Sequence, residues 1–183
     1  MVALLVGLSG RLTALRPPAP QAVLLGLTGL VLVLTATIPT LRTWALTVDL
    51  RVLVGLHVTR FVGFYFLFLY RRGELPFAFA VPGGWGDVTV ATLAAALLVT
   101  GPAVGVGRRR AYLVWNVIGL IDILFVVATA TRLGLADPQA LQPLLRLPLS
   151  LLPTFLVPLI IASHLLLAKR LLTSEPGARR DAA

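Results

Sequence analysis

Five times along its 183 residues the chain runs for about twenty residues on hydrocarbon side chains, at 22–41, 50–70, 88–106, 111–131 and 149–168. A bilayer's hydrocarbon core is about 30 Å thick, and a helix rising about 1.5 Å per residue needs about twenty residues to cross it. The runs therefore predict an all-α integral membrane fold, a bundle of five transmembrane helices. Composition agrees, because 58% hydrophobic residues and a mean hydropathy of +0.94 exceed the roughly 45–50% apolar content of soluble domains. The expectation is one transmembrane domain over 1–172 and a polar, disordered tail over 173–183. The first ten residues, MVALLVGLSG, are too short to span. Arg11, Arg16 and the PPAP turn at 17–20 separate them from the first helix, so residues 1–16 read as a short interfacial helix or a signal-like start, with the interfacial helix favoured.

A formal charge of +9 raises the question of nucleic acid, since 16 Lys and Arg face 7 acids. Fifteen of the sixteen cations are arginine, and nearly all stand at the ends of apolar runs, where anchors to phospholipid headgroups belong. The expected partners are membrane lipids and no nucleic acid, with a homo-oligomer or a larger membrane complex left open. The absence of cysteine excludes disulfides, thiolate metal sites and covalently attached c-type haem. Counting basic residues between the runs puts nine on the side that holds the C-terminus (Arg42, Arg51, Arg108, Arg109, Arg110, Lys169, Arg170, Arg179, Arg180) and six on the other. That bias predicts a cell (inner) membrane protein with its N-terminus outside and its C-terminus in the cytoplasm.

Two connections stand out. The stretch 71–87, RRGELPFAFAVPGGWGD, carries Pro76, Pro82 and glycines that oppose a long helix, so it reads as a surface or dipping loop with Glu74, Trp85 and Asp87 as its candidate residues. Asp87 is expected to cap the third helix, where a short carboxylate satisfies free backbone donors, in preference to a ligand role. GGWGD is no phosphate loop, since it lacks a following Lys-Ser/Thr and a preceding strand. Prolines at 138, 143, 148, 153 and 158 predict a broken connection to about residue 147, then a helix kinked near Pro153 and Pro158.

The segments RFVGFYFL from Arg60, RGELPFAFA from Arg72, GWGD at 84–87 and WNVIGLID from Trp115 resemble a family of small bacterial integral membrane proteins with no assigned activity. The resemblance covers most of the apolar region and implies the membrane fold; it carries over no catalytic residue.

Four side chains that are charged or carry an imidazole lie well inside the runs. Arg60 is the midpoint of the second and Asp122 lies near the midpoint of the fourth, so two opposite charges share one depth and can pair. The alternatives are a protonated or water-facing Asp122, or an Arg60 that reaches toward an interface. His57 precedes the centre of its run by three residues and His164 follows the centre of its run by about five, on antiparallel helices, so both imidazoles are offset toward the same side. His57, Arg60, Asp122 and His164 form the candidate cluster, and Asn116, on another stripe, is read as a helix-to-helix hydrogen bond. No sequence pattern of a protease or hydrolase is present, and no catalytic residue is assigned. What remains is a non-enzymatic accessory or small-ligand- or cofactor-binding membrane protein. The alternatives are a small carrier or proton-coupled permease, and a haem b electron-transfer protein ligated by His57 and His164.

Overall fold

In a computed structural model, which describes residues 7–9, 11–16 and 18–173, the chain is mostly helical, with no strand among the described residues. The helices are α1 (Ala19–Thr37), α2 (Pro39–Thr47), α3 (Leu50–Leu56), α4 (Gly63–Arg71), α5 (Phe77–Thr100), α6 (Val106–Ala136) and α7 (Val157–Thr173). A 3₁₀ segment, His57–Val62, joins α3 to α4, and a π-turn, Leu152–Leu156, leads into α7. Five helical stretches are long and apolar enough to cross a membrane: Ala19–Thr37, Leu50–Arg71, Phe77–Thr100, Val106–Ala136 and Leu152–Thr173.

The first run ends earlier than its hydrophobicity predicts. Pro39 lacks an N–H and its ring disfavours helical geometry at the residue before it; Ile38 accordingly sits at φ −83°, ψ 115°, and a separate short helix, α2, follows. The larger correction concerns 71–87. This stretch is a loop only to Pro76, and α5 begins at Phe77, eleven residues before the predicted start at 88. Pro82 falls within the helix, and the neighbouring glycines serve packing instead of turning. A Cβ on Gly84 would stand 2.9 Å from the carbonyl oxygen of Gly63, so α4 and α5 cross backbone to backbone there. The fourth run also extends beyond 111–131 at both ends, which puts Arg108, Arg109 and Arg110 in the first turns of α6. Between α6 and α7 the proline-rich connection is broken, as its spacing predicts, into turns and a short 3₁₀ segment at Gln142–Leu145. Where kinks near Pro153 and Pro158 are expected, the chain forms the π-turn, with Thr154 Oγ1 donating to the Ser150 carbonyl at 2.6 Å, and Pro158 falls in the first turn of α7.

Residues 1–6 and the tail from 174 lie outside the described residues, and with them most of the predicted interfacial helix and polar tail. What is described before α1 is a helical turn at 7–9 and a 3₁₀ turn, Arg11–Ala14, packed near the Gln142–Leu145 turn.

The two ends of the bundle differ. At one end arginines bind the carbonyls that helix termini leave without partners. Arg51 Nη2 donates to Leu98 O at 2.9 Å and Arg170 Nη1 to Val48 O at 2.5 Å. Arg108 does the same for Thr100 O, and Arg109 for Leu171 O through Nε at 2.6 Å and through Nη2. At the other end Arg72 pairs with Glu74 at 2.6 Å on the exposed loop. Apolar packing fills both halves, around Val54, Tyr112 and Leu167 toward the arginine-capped end and around Phe66, Phe79 and Leu149 toward the loop end. The polar residues lie between.

Candidate functional site

The site begins with a change of helical pitch. In the 3₁₀ segment three residues make a turn, so His57 and Arg60 stack one above the other, both almost wholly buried. Arg60 spends three of its donors within the bundle. Its Nε donates to Asp87 Oδ1 at 2.6 Å, its Nη1 to the carbonyl of Gly119 at 3.0 Å, and its Nη2 to Asp122 Oδ2. The predicted Arg60–Asp122 contact is therefore present, within a triad that contains a second carboxylate.

That second carboxylate corrects the reading of Asp87. It caps nothing: it lies eleven residues into α5, 4% exposed, and is ion-paired with Arg60. The missed signal was the continuous run from Phe77 to Thr100, whose one charge is Asp87 near its middle. Trp85 and Glu74 do not join it. Trp85 stands on the outward face of α5 at 57% exposure, and Glu74 stays with Arg72 on the loop. Small residues make room for the triad, since a Cβ on Gly86 would collide with the Asp122 carboxylate.

One layer toward the arginine-capped end, the two histidines meet directly, with ring centroids 4.2 Å apart. Their partners assign a proton to each ring. Ser163 donates its hydroxyl to Ile160 O at 2.8 Å, so His57 Nε2, 3.0 Å from Ser163 Oγ, is the donor of that pair. Asn116 Nδ2 donates to His164 O at 3.2 Å, which turns its Oδ1 toward His164 Nδ1 at 2.9 Å and makes that nitrogen a donor too. Asn116 thus makes the helix-to-helix bond its position predicts. The Trp115 ring meets His57 edge-on at 4.9 Å and donates from Nε1 to Val90 O at 3.1 Å.

This arrangement does not fit haem. A macrocycle with an axial nitrogen on each face needs a gap between the imidazoles, whereas these rings touch each other and are completely buried. Neither histidine lines the cavity at Arg60 and Asp87 or the one beneath α1 and α2. Among the described residues no group of three or more His, Asp or Glu is placed to hold a metal ion.

The triad, in contrast, is reached by a cavity. About 200 Å³ of space runs from Arg60 and Asp87 past Thr59, Phe66, Val126 and Ala130 to Gln21, Pro138 and Leu141 at the loop end. Its walls are mostly apolar. Gln21 Oε1 is buried there with no hydrogen-bond partner among the described residues.

An all-helical bundle with a charged triad at its centre, beside a packed histidine pair, and with an apolar cavity leading to the triad, defines the class. The chain belongs to the family described as a domain of unknown function, DUF8737, which matches residues 17–172. No curated protein and no solved structure matches it.

Proposed function

We propose that the five long helices cross the cell membrane, with the C-terminus in the cytoplasm, and that the protein binds a small lipophilic molecule without transforming it. The observation that carries this is the apolar cavity ending on Arg60 and Asp87. Its walls suit a hydrocarbon guest, and its closed end offers one polar anchor. The charge of that end sets the preference. One guanidinium faces two carboxylates, a formal sum of −1 in surroundings where net charge is costly, so a guest carrying a cation or a strong donor is favoured.

Thermal unfolding in detergent with decylamine, decanol and decanoate tests this. Decylamine is expected to stabilise most, and Ala130→Phe, which fills the cavity away from the triad, to abolish the effect while leaving the unliganded protein folded. Equal stabilisation by all three compounds, or full response of the filled variant, would refute it.

A further inference from the structure

The second cavity lies on the opposite side of α7 from the first and is larger, about 850 Å³. It exists because α1 does not follow the bundle along its length. The buried residues of α1, Leu24 and Thr28, lie no further along it than its midpoint, and Leu24 packs with Ile123 and Ile160. Beyond them α1 stands away, and Val33 is 56% exposed. The chain then turns through α2, whose end is docked by Ala45, 1% exposed, and by the Arg170 bond to Val48 O. The result is a cleft roofed by α1 and α2 and floored by α3 and α7, with Val31, Leu53, Leu56 and Leu159 among its walls and Arg42 and Lys169 at its mouth.

We propose that this cleft is a binding site for one anionic phospholipid drawn from the surrounding bilayer, its phosphate held by Arg42 and Lys169 and one acyl chain inserted beneath α1. The inference rests on the membrane placement proposed above, and on nothing concerning the triad. Depth is the first argument. From Leu159 to Lys169 the floor spans ten residues of α7, about 15 Å at the helical rise, which is half of a hydrocarbon core of about 30 Å. The cleft is therefore one leaflet deep, as a lipid tail requires and a spanning partner helix does not. Charge is the second. No Asp or Glu lines the cleft, and Arg42 and Lys169 enter none of the ion pairs among the described residues. Two cations at the mouth of an apolar slot, with Trp44 beside them, match a phosphate above a hydrocarbon chain.

The test is native mass spectrometry of the delipidated, detergent-purified full chain with dioleoyl phosphatidylglycerol, dioleoyl phosphatidylcholine or inorganic phosphate. Phosphatidylglycerol is expected to bind about tenfold more tightly than phosphatidylcholine, a preference that Arg42→Gln with Lys169→Gln reduces to near unity. The charge-matched control, Arg71→Gln with Arg72→Gln at the other end, should keep the preference, and Ala162→Phe in the cleft should weaken both lipids. The proposal is overturned by equal binding of the two lipids in the parent chain. It is also overturned if the control pair loses the preference as fully as the cleft pair, or if inorganic phosphate displaces phosphatidylglycerol at equal concentration. A failure of the membrane placement shows separately, as a chain that stays soluble and monodisperse without detergent.

Discussion

Arg60 is the residue on which the centre of the bundle depends, because each of its bonded nitrogens holds a different part of the structure: Asp87 on α5, and Asp122 and the Gly119 carbonyl on α6. Replacing it with Leu leaves two carboxylates facing each other without a counter-ion. Loss of one partner from a buried pair costs about 3–5 kcal/mol. Thermal unfolding in detergent should show Arg60→Leu destabilised by about that amount, and the combined Arg60→Leu, Asp87→Leu, Asp122→Leu chain should recover a large part of it. Gly86→Ala makes a quieter test of the same contact. The added methyl collides with the Asp122 carboxylate, and overpacking of this kind costs about 1–3 kcal/mol. If the Gly86→Ala chain unfolds with the parent, Asp122 is not held against α5.

Helix α5 shows how an element can be hidden by its own composition. Pro82 and three glycines read as breakers, yet a proline at the sixth residue of a helix removes one backbone bond, and the glycines are where α4 and α6 come closest. Pro82→Ala separates the two readings. In a helix it restores a donor, so stability is expected to hold or rise by about 1 kcal/mol, whereas in a loop it loosens the unfolded chain and lowers stability by about 0.4–1 kcal/mol. Amide exchange at 83–87 should be slow for the same reason. The other long elements, and the meeting of Arg60 with Asp122, were legible because hydrophobic length marks a helix and its midpoint marks a depth. Asp87 was not, since its depth depends on where its helix starts. The histidines were placed at one level correctly, but direct ring contact depends on the 3₁₀ twist at His57–Val62, which no periodicity announces. The short α2 was missed because the apolar run continues to Leu41, past the break that Pro39 makes.

At the scale of the molecule, the asymmetry of charge should fix orientation. Among the described helices and turns, Arg42, Arg51, Arg108, Arg109, Arg110, Lys169 and Arg170 gather at one end, against Arg16, Arg71, Arg72, Arg132 and Arg146 at the other, and by the positive-inside rule we expect the first end in the cytoplasm. A phosphatase fused after Ala183 is expected to be inactive and a fluorescent reporter there bright; the opposite pattern would invert the topology. The arginine bonds at that end do more than anchor. Arg51 ties the start of α3 to the end of α5, Arg109 ties α6 to α7, and Arg170 ties α7 to the end of α2, so neighbouring helices are pinned to one another at this end. Rivets of this kind should let the bundle work as tongs, hinged at the arginine-capped end, with jaws at the loop end near Gln21 and Pro138, which line the cavity there. Spin labels across the jaws, at Pro20 and Pro138, should report a broader spread of distances than labels at Thr47 and Leu172, and Arg170→Gln should widen the second pair.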